Sequence, residues 1–180
     1  MKSGLNANLT VKNRMNLMLD NLLALLEEET GLYGLMLSLT QSEKDAVINS
    51  NLDEMNKIAE EKDTLFFKIQ TVEGQRQDVV KELAESMEWS PHDLTLGKLS
   101  QLVKEPYSSR LKERRSNLLA LVQSIRDINS SNRELINHSL ELVRSSFSFL
   151  NNATAHKTVY HSTGKMLDAN QSGRVLSGEL

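Results

Sequence analysis

The sequence predicts an all-α fold: an elongated antiparallel bundle of three long helices with one short helix, followed by a flexible C-terminal tail. Two observations carry this. Apolar residues recur at alternating steps of three and four along three long stretches, the period of a coiled-coil seam rather than of a strand. The composition agrees: Leu supplies 30 of 180 residues, aromatics only 4%, Pro 2 and Gly 8, too few turn formers for an all-β fold or a chain of βαβ units.

The first series runs Met15, Met18/Leu19, Leu22, Leu25/Leu26, Leu32/Tyr33, Met36 and Leu39. Its one defect is Glu29, which stands where an apolar residue is due. The helix is expected over about residues 8–49, about 60 Å at about 1.5 Å per residue. Asn49-Ser50-Asn51 breaks the pattern with turn and cap formers, and Asp53 and Glu54 suit a first helical turn. A second series follows: Leu52, Met55, Ile58/Ala59, Leu65, Ile69, Val72, Val79/Val80, Leu83 and Met87, a helix over about 52–88. So short a link makes the two helices antiparallel neighbours.

Pro91 biases Ser90 out of the helical region and ends that element. Leu94, Leu96, Leu99 and Leu102 mark a short helix over about 95–103. Pro106 is suited to the first position of the next helix. The third series, Leu111, Leu118, Leu121/Val122, Ile125, Ile128, Leu135/Ile136, Leu142/Val143, Phe147 and Leu150, predicts a helix over about 106–151. Residues 1–152 thus form the bundle. Residues 153–180 hold Gly164, Gly173 and Gly178 with only scattered apolar residues, and read as a flexible tail that orders on a partner.

Charge excludes some functions. Lys+Arg 21 against Asp+Glu 24 gives a net charge of -3, which is not a nucleic-acid binder's balance. The absence of Cys excludes disulfides, thiolate metal sites and a thiol nucleophile, and fits a reducing compartment. Leu17–Leu26 is too short and too polar to span a membrane, so a cytoplasmic location without membrane insertion is expected.

No nucleotide-binding or hydrolase motif is present, so neither catalysis nor a cofactor is expected. Glu134 and His138 are four apart rather than the three of a helical di-iron pair, and His156 and His161 lack further ligands, so no metal site is expected. His138 lacks the Lys and Gly that usually follow the reactive residue of a phosphotransfer module. Glu27-Glu28-Glu29 reads as a solvated face. The basic run Arg110, Lys112, Arg114 and Arg115 reads as another, or as an intramolecular partner for an acidic stretch. Asn132 falls on the third seam; with Asn129 it is a candidate for fixing register or contacting a partner, since a polar seam residue lowers stability but specifies alignment.

The doubled pairs Leu22-Leu23 and Leu25-Leu26 make an apolar stripe wider than a two-residue seam. A third helix, a second copy as in a homodimer, or a client helix must cover it. Phe147 and Phe149 lie about 200° apart around a helix, so one is expected to pack on the first or second helix and the other to face a partner.

An ordered set of segments now resembles a known family. Leu22–Thr30 with Leu32-Tyr33 opens the first helix; Glu61-Lys62-Asp63-Thr64-Leu65 and Arg76 lie in the second. Leu94–Leu99 makes the short helix, Ile128–Ile136 lies in the third long one, and Tyr160 to Gly164-Lys165 in the tail. Over about residues 9–165 this resembles the FlgN family, export chaperones of flagellar type III secretion. The resemblance implies a cytoplasmic, non-enzymatic chaperone. Such a chaperone binds the C-terminal helical segments of hook–filament junction (hook-associated) proteins, prevents their premature assembly and delivers them to the membrane export gate. It assigns client contact to the C-terminal part, here Leu142, Val143, Phe147, Phe149 and Leu150 with Val159, Met166, Leu167, Val175 and Leu176. It assigns gate docking to Tyr160. The rival readings from the residues are a structural or adaptor coiled-coil protein and a His138 phosphotransfer module.

Overall fold

The computed structural model describes the backbone of residues 2–155 and the side chains of residues 13–152. Four helices follow one another: α1 Lys2–Ile48, α2 Leu52–Ser86, α3 Leu96–Leu102 and α4 Tyr107–Ala155, with no strand among the described residues. The all-α expectation holds, with three long helices and a short one. Their ends differ from the sequence reading. α1 begins at Lys2 rather than near residue 8, because Gly4 alone does not stop a helix and no Pro interrupts. α4 continues through Ala155, so residues 153–155, expected in the tail, are helical. Ala153 and Ala155 after the Asn pair are strong helix formers, and no Gly or Pro stop follows them directly. Pro106 precedes α4 rather than opening it; its carbonyl accepts the first helical bond, from Arg110 N–H at 3.3 Å.

The turn between α1 and α2 is a Schellman closure. Asn51 N–H donates to Ala46 O at 2.9 Å and Ser50 N–H to Val47 O at 3.1 Å, with Ser50 left-handed at φ 53°. Asn51 then caps α2, its side-chain oxygen accepting from Glu54 N–H at 3.2 Å. The end of α2 repeats the device. Trp89 N–H donates to Ala84 O at 2.8 Å and Glu88 N–H to Glu85 O at 3.3 Å, with Glu88 at φ 58°. Thr95 caps α3 through Lys98 N–H.

The chain divides into two units, residues 1–135 and residues 136–180. In the first, one core gathers all four helices: Met18, Leu19, Leu22, Leu23 and Leu26 of α1, Leu83 and Ala84 of α2, Leu99 of α3, Leu111 of α4, and Leu94 just before α3. The doubled leucines are therefore covered within the chain; Leu22 and Leu26 are fully enclosed. Ion pairs and polar contacts give the register. Glu29 meets Arg76 and Glu43 meets Lys62, so α2 runs against α1. Arg110 meets Asp20, Arg114 meets Glu27 and Asn132 meets Thr40, so this part of α4 runs with α1. Arg110 and Arg114 of the basic run at the head of α4 thus find acidic partners in the chain. At the junction, Ser108 Oγ donates to Ser100 O at 2.6 Å and ties the head of α4 to α3.

Candidate functional site

Two places in the molecule put polar or apolar groups where folding alone does not require them. The first is Asn132, 3% exposed. Beyond Leu111 it is the one buried residue of α4 among the described residues, at a depth where the surrounding period supplies only half-buried Leu121, Val122, Ile125 and Ile128. Its Nδ2 donates to Thr40 O at 3.0 Å and to Glu43 Oε2 at 2.9 Å. Lys62 Nζ donates to the same carboxylate oxygen at 2.7 Å. One carboxylate on α1 therefore joins α2 and α4 in a polar layer. Asn132 Oδ1 has no hydrogen-bond partner there. The register role expected for Asn132 has a geometric basis. Asn129 does not share it, being exposed.

Glu29 corrects the reading of the acidic run. Glu27 and Glu28 are solvated, but Glu29 is 4% exposed and accepts from Arg76 Nε at 2.8 Å. A buried carboxylate demands a cation, and Arg76 reaches across from α2 to supply it. The seam defect in the sequence was the signal of this pair. Tyr33 lies in the same setting: burial raises its phenol pKa, and the negative charges of Glu73 and Glu29 raise it further against the opposing Arg76.

The second place is the far part of α4. Leu140, Leu142, Val143, Phe147, Phe149 and Leu150 are all exposed, five of them by more than half. At about 100° per residue they fall into two stripes. Ile136, Leu140, Val143, Phe147 and Leu150 share one, while Leu142 and Phe149 share another about a third of a turn away. Leu142, Val143, Ser146, Phe147 and Leu150 line a shallow apolar depression. His138, Glu141, Arg144 and Ser148 occupy the opposite face. Phe147 and Phe149 are 54% and 73% exposed, so they are not both core residues, as their spacing implied, but neither is the packed member of the pair that was expected. Both stripes are open because this unit carries no second buried layer; no residue from 137 to 152 is buried. Of the client-contact residues expected on α4, Leu142, Val143, Phe147 and Leu150 line the depression, and Phe149 stands outside it. Leu140 belongs with them, and its place one turn before Val143 on the seam marks it. Val159, Tyr160, Met166, Leu167, Val175 and Leu176 lie outside the described residues.

Sequence reasoning missed a further feature. Phe66 and Phe67 are 52% and 68% exposed, so all four Phe of the chain stand at the surface while the core is built from Leu, Met, Val and Ile. The i, i+1 spacing was the available signal, because two adjacent residues cannot share a narrow buried face.

His138 is exposed, with Glu141 Oε2 3.9 Å from Nδ1. No cluster of three or more His, Asp or Glu able to hold a metal occurs among the described residues, and no helix among them is long and apolar enough to cross a membrane.

No curated protein and no solved structure matches the chain. A family model does: the one described as FlgN protein matches residues 15–168, which takes in the core of the first unit, the apolar end of α4, and Tyr160, Met166 and Leu167, and stops short of Val175 and Leu176. With most of its length inside that match, the chain belongs to the FlgN family of flagellar export chaperones.

Proposed function

We propose that this chain is a cytoplasmic chaperone that holds the C-terminal helical segment of hook-associated proteins on the exposed face of α4, prevents their premature assembly, and delivers them to the membrane export gate. The observation that carries the reading is the cluster of Leu140, Leu142, Val143, Phe147 and Leu150, apolar and uncovered over three turns of helix. A patch of this kind on a water-exposed helix marks a partner surface. An amphipathic client helix reads such a stripe through anchors at i, i+3/i+4 and i+7. Residues 156–180 extend the contact with the pairs Val159-Tyr160, Met166-Leu167 and Val175-Leu176, and Tyr160 meets the gate. Ordering that segment on binding costs entropy, which holds affinity to a level that permits release. Nothing in this role calls for a metal or a cofactor.

The test is calorimetric titration of the full chain, of a form truncated after Asn152, and of Phe147→Ser with hook-associated proteins and their isolated C-terminal helical peptides. A defined complex is expected, weakened at least tenfold, about 1.4 kcal/mol, by the truncation and by the substitution. Circular dichroism and melting should be unchanged, because neither change touches the core of the first unit. Full affinity in both variants would remove α4 and the tail as the client surface. The absence of any complex would return the chain to a structural coiled-coil role. Sedimentation of the free chain decides whether the α4 face is covered by a second copy in a homodimer before the client arrives.

A further inference from the structure

A groove lies within the first unit, on residues other than those assigned to the client. Two adjoining concavities share Arg76, Leu96, Leu118 and Leu119 and so form one continuous channel, with α3 on one side and α4 on the other. Val80, Leu94, Leu96, Leu118 and Val122 line it with apolar surface, and Leu119 stands in it 55% exposed. On α4 the residues Arg115, Leu119, Val122 and Arg126 fall at i, i+4, i+7 and i+11, within about 60° of one another on one helix face. The face thus reads cation, two apolar anchors, cation, over about 16 Å at about 1.5 Å per residue.

The charges around this channel are not alike. Arg110 pairs with Asp20, Arg114 with Glu27 and Arg76 with Glu29. Arg115 and Arg126, which line the channel, have no acidic partner among the described residues. Gly97 leaves the α3 side open: a Cβ there would lie 3.5 Å from Arg115 Nε, so the guanidinium rests over bare backbone at the channel's edge.

We infer that this channel docks an acidic amphipathic helix of a partner protein, with two carboxylates about three turns apart on either side of apolar anchors. Charge complementarity selects this occupant. The chain's own residues 156–180 carry Lys157, Lys165 and Arg174 against Asp168 and Glu179, three cations to two acids, the wrong sign for a channel ended by arginines. The partner's apolar residues cover Leu119 and Val122, and its carboxylates meet Arg115 and Arg126 in the fork geometry that guanidinium favours. Two binding faces on one chaperone would let it hold a client and a second protein at once.

The experiment is a selection from a displayed library of randomised 18-residue helical peptides against the full-length chain, with Arg115→Glu/Arg126→Glu as the counter-target. Both arginines are exposed, so the double variant should keep the parent's circular dichroism, and Leu119→Ser, also exposed, serves as a second, uncharged variant. The expected outcome is a set of peptides that bind the parent at least tenfold tighter than either variant. Each should carry acidic residues ten to twelve positions apart with apolar residues between. Reversing those acids to Lys should restore binding to the double variant. The inference is overturned if no peptide distinguishes parent from variants, or if the discriminating peptides lack acidic residues. It is equally overturned if the free chain proves to be a dimer that Arg115→Glu/Arg126→Glu splits, since the occupant is then a second copy.

Discussion

Asn132 and Thr40 are 92 residues apart in sequence and joined by one hydrogen bond, from the Asn Nδ2 to the Thr carbonyl at 3.0 Å. This contact, with the Glu43 and Lys62 groups beside it, aligns three helices in a stretch where α4 otherwise offers only half-buried aliphatic residues. A polar group on a seam lowers stability because it is desolvated, but it makes any shifted alignment worse still, since a shift buries it against carbon.

Asn132→Leu is therefore expected to be neutral or to stabilise by about 1 kcal/mol, because it removes the unpartnered Oδ1 and leaves Glu43 its bond to Lys62. Asn132→Asp should destabilise by about 2 kcal/mol or more, since it loses the donor and sets a second carboxylate where Glu43 Oε2 lies 2.9 Å away. Urea melts of the two variants check the order. Greater stability for Asp than for Leu would show that the layer does not work by donation to Glu43.

Arg76→Ala should cost about 2 kcal/mol, short of the loss for a wholly enclosed pair, because it strands the Glu29 carboxylate while Arg76 itself is 21% exposed. The double variant Glu29→Leu/Arg76→Leu should recover most of that, since apolar residues in place of a buried pair escape the desolvation cost. A thermal-melt double-mutant cycle measures it. Equal losses in the single and double variants would mean that the pair matters through packing alone.

The two Schellman turns put non-glycine residues in left-handed backbone, which costs an L-residue about 1–2 kcal/mol. Ser50→Gly and Glu88→Gly should each stabilise by about 0.5–1 kcal/mol after the entropy of the added glycine is subtracted. On a chain of this size that raises Tm by about 2–4 °C for each kcal/mol. A lower Tm in either variant would show that the replaced side chain makes a contact worth more than the relieved strain.

Much of the fold is legible in the sequence because its elements are long and periodic. The 3.5-residue step marks the three long helices, and the capping residues Asn51 and Thr95 sit where the breaks fall. The pairings between helices are not legible in the same way. Glu29 looks like a fault until Arg76 is seen opposite it, and Asn132 shows only as an anomaly without Thr40 and Glu43, because a one-dimensional period records depth but not neighbours. The exposure of both Phe147 and Phe149 escaped for a related reason: the apolar period of α4 continues through a stretch, residues 137–152, that has no buried residue. A seam pattern reports what a helix could cover, not whether a second helix is there.

Alkaline pH should weaken the first unit. The Tyr33 phenol is held above its ordinary value of 10.0 by burial first, then by the charges of Glu73 and Glu29; Tyr107 is raised by burial and by its hydrogen bond to Asp20. A folded-state pKa above the unfolded one gives stability that is fully present below pH of about 10 and is lost as pH rises through the folded values. Phenolate absorbance should therefore rise later in the folded chain than in urea, and Tyr33→Phe should flatten the loss of stability above that pH. Titration at the same pH in both states would remove the burial and carboxylate effects from the account.

Phe147 and Phe149 should separate stability from recognition and also show which stripe holds the client. Both are exposed, so Phe147→Ser and Phe149→Ser remove little buried surface from the free chain and should move Tm by no more than about a degree, within the range of surface changes. Leu26→Ala is the contrast: it empties a fully enclosed site and should cost about 2–5 kcal/mol. For client affinity the order reverses. Phe147 lines the depression with Leu142, Val143 and Leu150, whereas Phe149 stands outside it on the other stripe. An anchor gains most where its neighbours complete the exclusion of water, so Phe147→Ser should weaken client binding at least tenfold and Phe149→Ser by no more than about threefold. Titration of both variants with one hook-associated protein reads the difference. If Phe149→Ser is the more damaging, the client lies along Leu142 and Phe149, and the depression around Val143 is not its seat.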